Sequence, residues 1–151
     1  MMRQPENFFL SRTKYNSLKS KYLEKDYKND LLDVDNIEIV DKNTLKILLK
    51  VKKSTLDKEG RFHLSSITAL VFSSQFAILN MLLDLNKSDN DIEFYTTECH
   101  LKMLKVITSK TISLETKIVS SEVKSGYKFY NLSANFENSS FMFTAVGVVK
   151  I

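Results

Sequence analysis

The chain has 151 residues, of which 43% are hydrophobic and 26% are charged. This length fits one domain with a single hydrophobic core. Three glycines and one proline exclude collagen-like proteins and most disordered ones. The single cysteine, Cys99, excludes an internal disulfide framework, and with two histidines a closed Cys/His zinc site is not expected. We therefore expect a reduced, globular, cytoplasmic protein that needs no metal and no other cofactor.

The net charge is weakly positive, at +4, because 22 Lys and Arg residues stand against 18 Asp and Glu residues. The densest basic cluster is the pair Lys52-Lys53, which is too short for a nucleic-acid-binding arm. The simplest explanation of the excess is an AT-rich genome, which favours Lys over Arg, and attraction to a phosphorylated ligand or carrier is the alternative. A nucleic-acid partner is not expected.

Residues 1–35 are predicted to form an N-terminal helical segment. No apolar stretch follows Arg3, so a signal peptide is not expected. Leu18, Tyr22 and Leu23 can share one face, which indicates one or two amphipathic helices lying over the core. The core domain then comprises residues 36–151.

The hydrophobic period changes to two residues from Ile37 onwards. Apolar and polar residues alternate through Ile39 and again from Leu45 to Val51, with turn residues at 41–43. This pattern predicts an antiparallel hairpin with one solvent-exposed face.

The segment from Leu64 to Leu85 is long and apolar. Its length is that of a membrane span, but several polar residues interrupt it and strand-like sequence follows at once. Apolar residues cover almost its whole circumference, which is typical of a buried core helix rather than a span. One stripe of small or polar residues would let another backbone approach closely: Ser66, Ala69, Ser73, Ala77 and Asn80.

Long strands are predicted for the rest of the chain, at residues 93–106, 111–119, 127–136 and 141–151. Glu98, His100 and Lys102 share one parity, which is typical of a solvated face, and Cys99 points the other way as a small hydrophobe. The order is therefore a hairpin, a buried helix and a meander of strands, an α+β architecture. A single sheet can bury one of its own faces and also cover such a helix if it wraps around the helix.

This order resembles the hotdog fold, in which an antiparallel sheet wraps around one long central helix. Residues 103–106 and 111–118 are similar to the paired strands after the helix in hotdog thioesterases and dehydratases, and residues 141–149 resemble the ending of such chains. The resemblance implies a homodimer or higher homo-oligomer, because such proteins usually join two sheets edge to edge.

The sharpest local signal lies before the helix, at Gly60-Arg61-Phe62-His63, with Ser65 or Ser66 as the expected N-cap. Backbone N–H groups at a helix N-terminus lack intrahelical acceptors, and the helix dipole favours negative charge there. These donors would stabilise the oxyanion that develops on a thioester carbonyl. His63 would orient water or act as general base; the alternative is that it only caps the helix.

The same stretch resembles the FcoT-like fatty-acyl-CoA thioesterases, in which Gly-His-Phe-Asn opens the central helix and an Asn-Gln pair follows on it. Gly60 and Phe62 match this motif, Arg61 replaces its His, and His63 takes the place of its Asn. The resemblance implies an active site at this end of the helix.

Further residues of the same resemblance lie outside the loop. Ser74-Gln75 resembles the Asn-Gln pair with a register shift of two residues, and Tyr27 stands for an N-terminal Tyr of the family. A buried amide such as Gln75 must be hydrogen-bonded, so it either pins the sheet or faces a ligand. The expected catalytic residues are His63, Gln75 and Ser74, and the expected substrate-binding residues are Gly60, Arg61, Phe62, Ser66 and Tyr27.

We therefore expect hydrolysis of a fatty-acyl thioester carried by CoA or by an acyl-carrier protein. The alternatives are a catalytically silent acyl-binding or assembly subunit and a 3-hydroxyacyl-thioester dehydratase. A dehydratase is disfavoured because the helix carries no acidic residue except Asp84, at its far end. Asp57 and Glu59, in the loop before the helix, are more simply solvated carboxylates than catalytic bases.

Overall fold

The structure, a computed structural model, describes residues 8–18, 32–87 and 92–151. This part of the chain contains a seven-stranded sheet, two α-helices and one short 3-10 helix, Lys53–Thr55. The helices are α1 (Arg12–Leu18) and α2 (Ser66–Leu85). The strands are β1 (Phe8–Phe9), β2 (Leu32–Asp41), β3 (Thr44–Val51), β4 (Phe94–Met103), β5 (Thr111–Lys124), β6 (Tyr127–Phe136) and β7 (Phe141–Lys150).

The sheet is antiparallel throughout, in the order β1-β2-β3-β5-β6-β7-β4. The chain leaves β3, forms α2, and then runs as β4 along the opposite edge of the sheet, next to β7. Between β5 and β6, Ser125 and Gly126 have φ values of 53° and 80°. Positive φ at both turn positions matches the right-handed twist of the flanking strands. The predicted order of hairpin, helix and strands is confirmed. The predicted meander is wrong for β4, because this strand pairs with β7 instead of β5, so only β5, β6 and β7 form a meander.

One face of the sheet packs against α2 and forms the core; we name it the helix face. Alternation places Ile112, Leu114 and Ile118 of β5 on that face, where all three are buried as predicted. Phe76 and Leu79 of α2 are fully buried in the same core. The opposite face of the sheet, named the outer face, is largely polar.

The solvated row on β4 is confirmed, because Glu98, His100 and Lys102 are all exposed. Cys99 has the opposite parity and is also exposed, so the prediction that it packs as a small hydrophobe is wrong. The physical reason is its position on β4, an edge strand that is exposed along most of its length.

The ends of α2 are closed by local hydrogen bonds. Ser65 is the N-cap, and its side chain accepts the backbone N–H of Thr68 at 3.1 Å. Asn86 closes the C-terminus in the left-handed conformation, with φ 50°. Asn80, on the small-residue stripe, donates from Nδ2 to the carbonyl of Asn43 at 2.9 Å. The stripe thus lies against the sheet, as predicted, except that Ser66 is exposed.

The prediction that α2 is buried over its whole circumference is wrong. Ile67 and Leu70 are 69% and 38% exposed, and Val71, Ser74 and Ile78 on the same side are only half-buried. The sheet covers one side of the helix and α1 part of another, which leaves these five residues uncovered in the described part of the chain. We name them the open side of α2.

α2 is also the one described helix that is long and apolar enough to cross a membrane. Of the stretch that meets this criterion, 56% is buried inside the protein. That degree of burial is typical of a core helix, as the polar interruptions indicated.

Several boundaries differ from the predicted ones. β2 begins at Leu32 rather than Ile37, because its pairing with β3 extends to Leu32, which lies opposite Val51 at the end of β3. β5 runs on to Lys124, well past the predicted end at residue 119, because β6 pairs with it as far as Tyr127. The N-terminal segment contains α1 but also the short strand β1, which was not predicted. Tyr22, Leu23 and Tyr27 lie outside the described residues.

Candidate active site

Two buried side chains anchor the loop that leads into α2. Phe62 and Leu64 are 6% and 5% exposed, and the backbone N–H of Leu64 donates to the carbonyl of Ile107 at 2.9 Å. His63 lies between these anchors, in a segment that is neither helix nor strand, and is exposed. The anchors therefore hold the His63 backbone in place while its imidazole faces solvent just ahead of the helix.

Asp57 organises the start of this loop. Its Oδ1 accepts the backbone N–H groups of Glu59 at 2.9 Å and of Arg61 at 2.8 Å. Gly60 occupies the turn with φ 75°, a conformation that glycine adopts without strain. The backbone N–H of Arg61, aided by its side chain, holds the pKa of the Asp57 carboxyl below its usual value. Asp57 is thus a structural hydrogen-bond acceptor that holds the turn before α2.

Arg61 is paired within the same loop. Its Nε donates to Asp57 Oδ2 at 2.9 Å, and its guanidinium also contacts the Glu59 carboxylate. All three side chains are exposed, and exposed ion pairs contribute little to stability. Arg61 can therefore exchange these carboxylates for an anionic ligand at small cost.

The N-terminus of α2 offers hydrogen-bond donors to a ligand. Ser65 satisfies the N–H of Thr68, and the N–H of Ala69 donates to the Ser65 carbonyl. The N–H groups of Ser66 and Ile67 have no intrahelical acceptor at these positions, and both residues are exposed. A developing negative charge placed here would meet two donors and the positive end of the helix dipole.

Gln75 lies in a different environment. Its Nε2 donates to the hydroxyl of Tyr15 in α1, and the Tyr15 ring stacks on Phe76 with centroids 5.8 Å apart. Gln75 follows Ser66 by nine residues, which is about 13 Å along the axis at a rise of about 1.5 Å per residue. The structure therefore does not bring Gln75 beside His63 within one chain.

Ser74 is half-buried on the open side of α2, rotated by about 100° from Gln75 because the helix has about 3.6 residues per turn. Ile78 on this side packs in the cluster that also holds Met81 and Phe94 of β4. The open side therefore borders the edge strand β4, and Ser74 is a polar group on an otherwise apolar surface.

Five of the sequence-predicted residues come together at the helix N-terminus. Gly60 sets the turn, Arg61 and His63 are exposed, Phe62 is an interior anchor, and Ser66 begins the helix. Ser74 and Gln75 lie further along α2. Tyr27 lies outside the described residues.

Sequence reasoning missed the environment of Asp84. Its Oδ2 accepts from Lys128 Nζ at 2.7 Å and from the Tyr130 hydroxyl at 2.6 Å. Burial opposes ionisation, but these two hydrogen bonds hold the pKa of Asp84 below its usual value. Burial, with the Asp84 carboxylate, raises the pKa of Tyr130. No sequence signal marks this cluster, because more than forty residues separate Asp84 from Lys128 and Tyr130 along the chain.

Metal ligation has no evident basis in the described residues. Within residues 8–18, 32–87 and 92–151, no group of three or more His, Cys, Asp and Glu side chains could hold an ion. His100, the second histidine, instead contacts Glu98 Oε1 through Nε2 at 2.8 Å on the outer face.

The fold is similar to several solved structures. The match to thioesterase PA1618 from Pseudomonas aeruginosa, solved as a variant, has a TM-score of 0.53 at 15% identity and covers 86% of this chain and 92% of that one. A hypothetical thioesterase protein from Streptococcus pneumoniae, also solved as a variant, matches with a TM-score of 0.51 at 10% identity, covering 80% and 91% of the chains. The PaaI protein from the phenylacetic acid degradation operon of E. coli matches with a TM-score of 0.50 at 8% identity, covering 86% and 88%.

The chain therefore has the predicted α+β hotdog fold, an antiparallel sheet with one long helix. The sequence matches no protein-family model and no curated protein. The resemblance to the FcoT-like branch stays a prediction.

Proposed function

We propose that this protein is an acyl-thioester hydrolase acting at the N-terminus of α2. The observation that carries the proposal is the exposed His63 directly ahead of the N–H groups of Ser66 and Ile67, which have no hydrogen-bond acceptor within the described residues. A general base and an oxyanion site are the two elements that thioester hydrolysis needs. The named thioesterases among the fold neighbours support the same reaction class.

In the proposed reaction, the thioester carbonyl oxygen accepts hydrogen bonds from the N–H groups of Ser66 and Ile67. His63 takes a proton from water as the water oxygen bonds to the carbonyl carbon. The tetrahedral intermediate then collapses, the C–S bond breaks, and the imidazolium returns its proton to the departing thiolate. The products are a carboxylic acid and a free thiol.

The proposed substrate is a fatty-acyl thioester. The apolar open side of α2 extends from this site and is long enough to receive an acyl chain, with Ser74 as a polar group partway along. Positive charge for the phosphates of CoA or for an acidic carrier protein would come from residues that precede the helix, Lys53, Lys58 and Arg61. Lys52 is already paired with Asp33, with Nζ 3.4 Å from Oδ1. The FcoT-like match at Gly60 and Phe62 supports an acyl-CoA.

A homodimer formed through β4 would cover the open side of α2 next to this site. β4 lies at the edge of the sheet and borders the open side of α2. Pairing of two β4 edges would extend the sheet and cover apolar residues such as Ile67 and Leu70. Gln75 is distant from His63 in its own chain. Its hydrogen bond to the Tyr15 hydroxyl gives it a structural role, in which it holds α1 against α2.

The direct test is release of free thiol from acyl-CoAs of increasing chain length. We expect turnover that peaks at one chain length, and a loss of about 10²–10⁴-fold in kcat for His63→Ala because a general base contributes that much. His100→Ala is the matched control, since it removes the chain's other histidine from the exposed outer face of β4. Wild-type activity of His63→Ala would contradict the proposed role of His63.

Gln75→Ala separates a catalytic amide from a structural one. If Gln75 acts only through Tyr15, the variant loses stability but keeps kcat at a temperature where it is folded. A loss of kcat without a loss of stability would instead assign Gln75 to the reaction.

A second candidate function is binding of acyl thioesters without hydrolysis. It is favoured by one observation: the single acidic residue of α2, Asp84, is already bonded to Lys128 and Tyr130, so the helix offers no carboxylate base. Acyl-CoA that binds but releases no thiol would support this candidate. Double-bond formation on a 3-hydroxyacyl thioester, with no thiol release, would support a dehydratase.

A further inference from the structure

Strand β5 extends past its neighbour β3. The last register pair between them joins Lys117 to Thr44, and the N–H of Ile118 donates to the carbonyl of Asn43 at 2.9 Å. β6 continues to pair with β5 as far as Lys124. In the stretch Val119–Lys124, the residues from Ser120 onwards therefore pair with β6 alone within the described part of the chain, and Val119 lies at a β-bulge in that pairing. We name this stretch the β5 arm.

The β5 arm is an exposed strand edge. All six of its residues are exposed, including Val119 and Val123 at 61% and 62%. The tight turn at Ser125-Gly126 and a hydrogen bond from Asn131 Nδ2 to Ser120 Oγ at 2.8 Å hold it against β6. An exposed edge with apolar side chains is a template for adding another strand.

The charges of the β5 arm are complementary to themselves. If two copies pair antiparallel about Val123, this valine faces its own equivalent, and Glu122 of each copy faces Lys124 of the other. Neither Glu122 nor Lys124 forms an ion pair within the described residues. Opposite charges at facing positions of an antiparallel pair are stabilising, and like charges there are destabilising.

We propose that the β5 arm is a self-association surface, at which two copies of the protein add their sheets edge to edge about Val123. A contact of this kind uses the same patch on both copies and closes with two-fold symmetry. Only a few residues of each copy overlap, so the buried area falls below the roughly 1,200 Å² of a stable interface. The association is therefore weak and grows with protein concentration.

Charge exchange tests both the surface and its register. Sedimentation is measured from micromolar to millimolar concentration for the wild type, Glu122→Lys, Lys124→Glu and the double variant carrying both changes. The average molecular mass of the wild type rises with protein concentration. Each single variant raises the dissociation constant of this self-association by at least about tenfold, and the double variant restores the wild-type value. Lys117→Glu is the matched control, because it reverses an exposed charge on the part of β5 that β3 already pairs.

Three results would overturn the proposal. The first is a wild-type mass that does not rise with concentration. The second is association that the single variants leave unchanged, which would place the contact at another edge, such as β4. The third is a double variant that fails to recover while its melting curve matches that of the wild type.

Discussion

At the level of single residues, the burial of the neighbours decides what each polar side chain can do. Phe62 and Leu64 are anchored in the core, so His63 between them faces solvent at the helix N-terminus. The carboxylate of Asp84, by contrast, is already occupied, because it accepts hydrogen bonds from Lys128 and Tyr130 of β6. One side chain is free for chemistry, and the other ties the end of α2 to the sheet.

The lowered pKa of Asp84 predicts a pH-dependent contribution to stability. A carboxyl whose pKa is lower in the folded state stabilises the fold above its unfolded value of 3.8 and loses that contribution as pH falls through the folded value. We expect Asp84→Asn to reduce the free energy of unfolding by about 1 kcal/mol at neutral pH, the order of one hydrogen bond. The difference from wild type should shrink below about pH 4.

Urea unfolding across this pH range measures the effect. Glu115→Gln is the control, because Glu115 has no ion pair in the described structure and lies on the outer face of β5. A difference between wild type and Asp84→Asn that stays constant from neutral pH to pH 3 would contradict the assigned hydrogen bonds.

At the level of elements, α1 is held by its contacts rather than by its own helical stability. A helix of seven residues is too short to be stable alone. Tyr15 and Leu18 are buried against the core, and Arg12 donates to the carbonyl of Val34 at 2.9 Å. The Tyr15 hydroxyl also accepts from Gln75, so α1 and α2 share one polar contact within an aromatic stack.

Tyr15→Ala should therefore release α1. We expect a loss of about 3 kcal/mol in the free energy of unfolding, because a buried aromatic ring is removed. Amide exchange within α1 should accelerate at the same time. Asn16→Ala, at an exposed position of the same helix, should change stability by less than about 0.5 kcal/mol. Equal effects of the two variants would show that α1 does not depend on the Tyr15 contact.

At the level of the whole molecule, the β4 edge, the β5 arm and one side of α2 are uncovered among the described residues, in addition to the β1–β2 edge of the sheet. β4 forms the sheet edge beside the open side of α2, and the β5 arm projects past β3. The proposed β4 dimer would bury apolar residues of α2, whereas contact through the β5 arm depends on charge pairs. The two contacts therefore respond to different substitutions.

Leu70→Asp tests the dimer through β4. Leu70 is 38% exposed on the open side of α2, and a charge buried there without a partner would be strongly unfavourable. We expect the molecular mass measured at low protein concentration to fall from that of a dimer to that of a monomer. The circular dichroism spectrum should remain that of the folded protein. Lys46→Asp, at an exposed position of β3, should leave the mass unchanged. A Leu70→Asp variant with the wild-type mass would contradict the proposed dimer.

The sequence by itself determined the parts of this protein that depend on local patterns. Alternation between two faces located the strands, the apolar stretch after Leu64 located α2, and Ser65 was one of two expected N-caps. The group at Gly60–His63 could be found because its members are adjacent in the chain and share one helix end. These features follow from residues that are near one another in sequence.

The tertiary structure decided how those parts face one another. It placed β4 at the far edge beside β7, left Ile67 and Leu70 uncovered, and gave Gln75 a partner in Tyr15, sixty residues away. It also extended β5 beyond the end of its alternating pattern, because pairing with β6 supports exposed residues that have no buried face. Such outcomes depend on strand register and long-range packing, and neither is encoded in a local hydrophobic period.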